Sequence, residues 1–365
     1  MALDRITQLA VTIRMTCAHP RVSGGAAVIP PRVSFRSEPA GADILQTGSA
    51  EPSLVAEVLT ARMQGAGTPP GCLGVPDVGY FMIETQCGEP PRRAEGLVAI
   101  ITGSAQGFGL GIAENLLSEG ARVVVADINA EQGQACAADF EDRYGKGRAL
   151  FQVADVTDSE SLAACVAGSV RAFGGVDMLV SNAGVLKAGG ITELDERAFD
   201  LVNRVNYKGF FLCVKAVTPV MRLQHSLHEG HVMDIVQVNS KSGLEGSNRN
   251  FAYAGSKFGS IGLVQSFALE LVGDHIKVNA VCPGNYFDGP LWSDPETGLF
   301  VQYLRAGKVA GAKTVDDVKQ FYQSKVPMGR GCTPDDVAKA IYYLHDQNYE
   351  TGQALPVTGG QIMLS

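Results

Sequence analysis

From residue 97 onward, seven short apolar, β-branched runs alternate with helical stretches, and this alternation constrains the fold more than any other feature. The runs are LVAIIT (97–102), RVVVADI (122–128), ALFQVADV (149–156), VDMLVSN (176–182), VMDIVQVNS (232–240), KVNAVCPG (277–284) and ALPVTG (354–359). Strands apolar on both faces suit a parallel sheet covered by helices on each side. The repeated strand–helix–strand order predicts an α/β, doubly wound sheet of about seven strands.

The first 94 residues read differently. Ten of the seventeen prolines fall within residues 1–91, and GTPPGCLGVPDVG (67–79) and GEPPRRAEG (88–96) carry turn signals without a period. One helix is expected there, over SLVAEVLTARM (53–63). Residues 1–37 hold five arginines, no lysine and one acid, Asp4. That composition is compatible with an organelle-targeting peptide, but an unstructured tail or a misassigned start is the favoured reading. Residues 1–94 are therefore expected to be a Pro/Gly-rich extension without assigned function, and residues 95–365 the functional domain.

Composition excludes several classes. The chain is 45% hydrophobic and 19% charged, the mix of a globular protein. A net charge of −8 argues against a nucleic-acid or anionic-membrane surface, and no apolar run is long enough to span a bilayer. Eight scattered cysteines without a C-x-x-C pair indicate neither a disulfide framework nor a zinc site. The expectation is reduced thiols in the cytoplasm and no metal.

The first apolar run leads into TGSAQGFGLG (102–111), with glycines at 103, 107 and 109, and then into a helical stretch. A glycine turn between strand and helix lets backbone N–H groups approach a pyrophosphate at the helix N-terminus, the arrangement of the Rossmann fold. The next strand ends in Asp127, eighteen residues after Gly109. An acid there accepts hydrogen bonds from both adenosine ribose hydroxyls and repels a 2′-phosphate. No Arg or Lys occupies 104–106 to attract one, so the cofactor is read as NAD rather than NADP. Read blandly, Asp127 is a solvated helix-cap acid. Two further strand ends carry Asp155 and Asn182, the latter followed by Ala183 and Gly184. These suit ligand contacts, but Asp155 equally suits a helix cap near Ser159, and Asn182–Gly184 a plain turn.

Tyr253 and Lys257 stand four apart, and Tyr253 is alone among ten tyrosines in having lysine at +4. On a helix they share a face. An ammonium beside a phenol lowers the phenol's pKa, making it an acid or base near neutral pH. Ser240, thirteen residues upstream, offers a hydroxyl to hold a substrate oxygen. Taken alone, the pair also fits an ordinary surface helix.

Together these residues resemble the short-chain dehydrogenase/reductase family over residues 97–365. TGSAQGFG is similar to its T-G-x-x-x-G-x-G, SNAG to its N-N-A-G with serine for the first asparagine, and YAGSK to its Y-x-x-x-K. The resemblance implies catalytic roles for Asn206, Ser240, Tyr253 and Lys257, with Asn206 supporting a lysine-bound water. It implies nicotinamide cofactor contacts from Gly103, Gly107, Phe108, Gly109, Asp127, Asp155, Val156, Asn182, Gly184, Tyr253, Lys257, Pro283 and Gly284. A dimer or tetramer pairing the long helices that include 251–272 is implied as well.

A closer likeness lies within the family, carried by VNSKSG, SKFGSIGLVQSFALEL, PGNYFDGPLW, KVPMGRGC (325–332) and VTGGQIM. It implies oxidation of a sugar alcohol phosphate, D-sorbitol 6-phosphate to D-fructose 6-phosphate. Lys241, Arg249 and Asn285 are the candidate substrate residues, since a phosphate needs a cation nearby. SDPETGLF (293–300) is extra length in the substrate loop. The competing readings are an unphosphorylated polyol dehydrogenase and a non-catalytic NAD-binding regulator on the same fold. An acyl-chain or steroid reductase is disfavoured by Asp127 and the polar 285–296 loop.

Overall fold

The computed structural model describes residues 3–20, 28–39, 43–66, 68–84 and 92–363. The N-terminal part contains α1 (Arg5–Thr16), a short antiparallel pair β1 (His19–Pro20) and β2 (Val28–Ile29), β3 (Arg32–Arg36), β4 (Ile44–Gln46), α2 (Pro52–Ala66), β5 (Cys72–Val75) and β6 (Gly79–Glu84). There follow β7 (Val98–Thr102), α3 (Gly107–Ser118), β8 (Arg122–Asp127), α4 (Ala130–Tyr144), β9 (Ala149–Val153), α5 (Ser159–Phe173), β10 (Met178–Ser181) and α6 (Glu196–Asn203). A π-helical turn, Arg204–Lys208, leads into α7 (Gly209–Leu227). Last come β11 (Met233–Val238), α8 (Phe251–Leu271), β12 (Ile276–Pro283), α9 (Pro290–Ser293), α10 (Leu299–Arg305), α11 (Val315–Ser324), α12 (Pro334–Asp346) and β13 (Ala354–Val357).

Strands β7 to β13 form one seven-stranded parallel sheet in the order β13-β12-β11-β10-β7-β8-β9. Each apolar run seen in the sequence contains one of these strands. The interior strands β7, β8, β10, β11 and β12 are buried along their whole length, which is why they read as continuous apolar runs rather than alternating ones. Helices α3, α4 and α12 cover one face; α5, α7 and α8 cover the other. The winding runs out from β7 to β9, then reverses at β10. Beside such a reversal, the carboxyl ends of the strands open a crevice for ligands. Helix starts are set locally. Asn129 caps α4 by accepting from Gln132 N at 3.1 Å, and Asp158 caps α5 by accepting from Glu160 N at 3.0 Å.

The N-terminal residues correct the expectation of a poorly ordered extension. The helix expected at 53–63 lies within α2, but α1 and a four-stranded sheet, ordered β3-β6-β5-β4, are present as well. Pairing and burial outweigh the turn-rich composition. Phe35 and Phe81 face each other in register across β3 and β6, with ring centroids 5.5 Å apart. Val33, Leu73 and Phe81 are fully buried, each worth about 1.5–3 kcal/mol of apolar transfer. These side chains join the same core as Phe173 of α5 and Phe210 of α7.

One residue ties this unit to the amino ends of the large sheet. Arg14 of α1 is wholly buried and grips Asp177 with both guanidinium nitrogens, at 3.0 and 2.6 Å, while donating to Gly96 O at 3.1 Å. Asp177 also accepts from Val98 N at 2.7 Å and contacts His231 Nε2 at 2.8 Å. Burial alone would raise the Asp177 carboxyl; Arg14 and His231 outweigh it and hold it well below the usual carboxylate range.

Candidate active site

The glycine turn is built for close approach. Gly103 and Gly107 take positive φ of 65° and 62°, open to glycine at little cost. A Cβ on Gly109 would fall 2.3 Å from Gly103 O and 2.6 Å from Asn182 Nδ2, so no side chain fits there. Asn182 Nδ2 donates to Thr102 O and Gly103 O at 2.9 and 3.0 Å, and Thr102 Oγ1 accepts from Asn182 N and Ala183 N. The turn that opens α3 is thus stapled to the end of β10. Its backbone amides and the helix N-terminus suit a pyrophosphate, and this cradle fits a dinucleotide. Phe108, in the first turn of α3, stacks on Tyr286 of the substrate loop at 4.9 Å.

Asp127, at the end of β8, accepts from Ala105 N at 2.9 Å and from Asn129 N at 3.0 Å. The helix cap belongs to Asn129, which rules out the cap role for Asp127. Each carboxylate oxygen keeps acceptor capacity for a ribose hydroxyl. Asp155 accepts from Thr157 N and Thr157 Oγ1, both at 2.8 Å, and the cap of α5 is Asp158. Val156 is buried against Gly209 at the start of α7. Gly184 lies beside the Asn206 amide. Pro283 ends β12, and Gly284 donates to Val357 O at 2.9 Å.

Ser240, Tyr253 and Lys257 converge at the carboxyl ends of β11 and β12. Ser240 follows β11 and caps a 3-10 turn (Lys241–Gly243), its Oγ accepting from Ser242 N at 3.1 Å. The Lys257 ammonium donates to Val238 O at 2.9 Å and lies 5.7 Å from the centroid of the Tyr253 ring. Burial pushes the Tyr253 phenol up to about 12, with the adjacent Ser240 hydroxyl pulling it back. Burial likewise pushes Lys257 down to about 8. This departs from the expectation that Lys257 lowers the tyrosine's pKa: desolvation of the phenol dominates.

Asn206 sits in the π-helical turn between α6 and α7, a local irregularity common at functional sites. Its side chain is already satisfied: Oδ1 accepts from Val185 N at 2.8 Å, and Nδ2 donates to Val185 O at 2.9 Å and Ser256 Oγ at 3.2 Å. The amide is thus committed to Val185 and Ser256.

Of the substrate candidates, Lys241 is largely desolvated beside Ser240, and burial lowers its pKa. Asn285 accepts at its main-chain oxygen from Cys332 N at 2.8 Å. Arg249 does not present a free cation, because its guanidinium is ion-paired with Glu193. Sequence reasoning missed Asn239. Its Oδ1 accepts from Ser240 N at 2.8 Å and its Nδ2 donates to Lys257 O at 3.0 Å, orienting strand end and helix together. An asparagine immediately before Ser240 was the only signal. Also missed was the lid core of Phe287, Trp292, Phe300 and Tyr303, whose residues are scattered over seventeen positions of the loop that follows β12.

Comparison with known proteins agrees with this geometry. The sequence pattern described as short chain dehydrogenase matches residues 97–292. Sorbitol-6-phosphate 2-dehydrogenase of Escherichia coli is 37% identical over 268 residues, covering 73% of this chain and 98% of its own length. The crystal structure of the Erwinia amylovora sorbitol-6-phosphate 2-dehydrogenase superposes with a TM-score of 0.67 at 36% identity, over 73% of this chain and all of that one. A Brucella melitensis 3-ketoacyl-(acyl-carrier-protein) reductase, solved with NADH, superposes with a TM-score of 0.61 at 28% identity, over 73% and 99% of the two chains.

Proposed function

The chain belongs to the short-chain dehydrogenase family, and from that premise we propose that it oxidises the C2 hydroxyl of a sugar alcohol phosphate, D-sorbitol 6-phosphate, with NAD as acceptor. It is an oxidoreductase acting on CH–OH, in a family that works with a nicotinamide cofactor. The observation that carries the proposal is Lys241, a desolvated cation one residue past Ser240, at the mouth where a substrate oxygen must lie. Support for NAD comes from Asp127, whose carboxylate ends β8 where a 2′-phosphate would be repelled.

The bound cofactor supplies the hydride acceptor at C2. Ser240 holds the substrate oxygen by its hydroxyl. Tyr253 exchanges a proton with that same oxygen. With its phenol pushed up to about 12, Tyr253 rests protonated, ready to give its proton to a carbonyl; alcohol oxidation requires the phenol to be discharged first. Lys257, fixed by Val238 O, anchors the cofactor ribose, and the Asn206 main chain supports the water through which the proton leaves. A homodimer or homotetramer pairing α7 and α8 completes the proposal, consistent with the exposed Phe211, Phe258, Leu269 and Val272 on and beside these helices.

The test is NADH formation followed optically with D-sorbitol 6-phosphate and D-sorbitol side by side, using NAD and then NADP. Preference for the phosphorylated sugar with NAD is expected. Equal use of both sugars would make the enzyme a general polyol dehydrogenase. Activity with NADP alone would overturn the role given to Asp127. NADH binding without turnover of any polyol would support the non-catalytic alternative.

A further inference from the structure

Tyr303 joins the catalytic tyrosine to the lid. Its hydroxyl accepts from Asn250 Nδ2 at 3.1 Å, its ring packs 5.8 Å from Trp292 and 5.4 Å from Tyr322, and it lies within electrostatic reach of the Tyr253 phenol. Lys308 is held over the same ring, its ammonium 3.9 Å from the centroid, and its backbone N–H donates to Tyr303 O at 3.0 Å. The half-buried Lys308 side chain is thereby fixed on the lid beside the catalytic residues.

Three other cations lie within electrostatic reach of it. Lys241 comes from the turn after β11, Arg249 from the approach to α8, and Lys325 from the end of α11, where it lies 4.2 Å from the Phe321 ring and 5.9 Å from the ring of Tyr322, which packs on Tyr303. Among the described residues, the lysines that pair with carboxylates are Lys277, Lys319 and Lys339; Lys241, Lys308 and Lys325 are not among them. Glu193 is taken by Arg249, and Glu245 acts on Lys241 from its own turn. Gathering like charges while desolvating them is costly without an anion between them.

We propose that Lys308, with Lys241 and Lys325, forms the site for the phosphate monoester of the substrate and sets the preference for a phosphorylated over an unphosphorylated polyol. The proposal rests on the reading of the enzyme as a sugar alcohol phosphate dehydrogenase. Four carbon–carbon bonds separate C2 from C6, enough to carry the phosphate away from Tyr253 toward the lid, where Tyr303 holds Lys308. A phosphate monoester carries nearly two negative charges above neutral pH and answers three cations.

The site carries a pH signature. Burial first, then Lys241, Arg249 and Lys325, push Lys308 down to about 8 in the free protein. A bound phosphate favours the charged ammonium. Affinity for the phosphorylated substrate is therefore full below pH 8 and declines as the free lysine loses its proton above it. Titration of Tyr253 affects both sugars alike and cancels in their ratio.

The experiment measures kcat/KM for D-sorbitol 6-phosphate and D-sorbitol across pH 6.5–9.5, in the wild type, Lys308→Gln, Lys308→Arg and Lys325→Gln. In Lys308→Gln the ratio of the two is expected to fall at least tenfold, through the KM of the phosphorylated sugar. Lys325→Gln should lower it by a smaller factor. Lys308→Arg should restore most of the ratio and abolish its decline above pH 8, because a guanidinium stays charged. A ratio in Lys308→Gln within twofold of wild type overturns the phosphate site while leaving the proposed activity standing. A wild type with no preference for the phosphorylated sugar overturns both.

Discussion

On the proposed mechanism, Tyr253→Phe removes the hydroxyl that exchanges a proton with the substrate oxygen while leaving ring packing intact. Turnover should fall by about 10²–10⁴-fold, with NADH affinity nearly unchanged when titrated by fluorescence. The pH dependence has a definite sign. Burial raises the phenol to about 12, so the phenolate fraction grows as pH rises from 7 toward that value. Alcohol oxidation, followed with D-sorbitol, should accelerate toward alkaline pH, and carbonyl reduction should not. At this scale the sequence was legible where chemistry is local: the Tyr–Lys pair, Ser240 and the three glycines are all brought to the carboxyl ends of the strands. Roles that depend on distant partners were not legible. Arg249 reads as a free cation until Glu193, 56 residues earlier, is seen to neutralise it. Asn206 reads as a water ligand until Val185, 21 residues away, is found on its amide.

Elements show the same division. The strands of the large sheet were legible because burial on both faces leaves continuous apolar runs. The π-helical turn was not, because RVNYK carries no residue that breaks a helix. Strands β3 to β6 were hidden by the prolines and glycines of their loops, although β6 alternates buried Phe81 and Ile83 with half-buried Tyr80 and Met82. At the start of α3, the close approach of Gly109 to Gly103 and Asn182 makes a clear prediction. Gly109→Ala forces the turn to open, an overpacking cost of about 1–3 kcal/mol. NADH binding, measured by calorimetry, should weaken about tenfold or more, while the KM for the sugar moves less.

Across the whole molecule, the N-terminal unit is held by the Arg14–Asp177 pair at the amino ends of the central strands, opposite the active site. Arg14→Ala strands a buried carboxylate and should cost about 3–5 kcal/mol in denaturant unfolding. The same pair governs acid sensitivity. The folded Asp177 carboxyl lies well below its unfolded value of about 3.9. Its stabilisation is full above that value and is lost as pH falls through and below it. The thermal midpoint should therefore drop more steeply between pH 5 and pH 3 in the wild type than in Arg14→Ala.

The span of that ion pair also bears on how the chain is made. Arg14 leaves the ribosome well before its partner, which lies 163 residues later, and the supporting Gln224 comes later still. A helix whose buried face carries a guanidinium has no stable place to rest until the first half of the parallel sheet exists. During synthesis, this helix must therefore settle after elements made later than itself, with its apolar face open to chaperones throughout that interval.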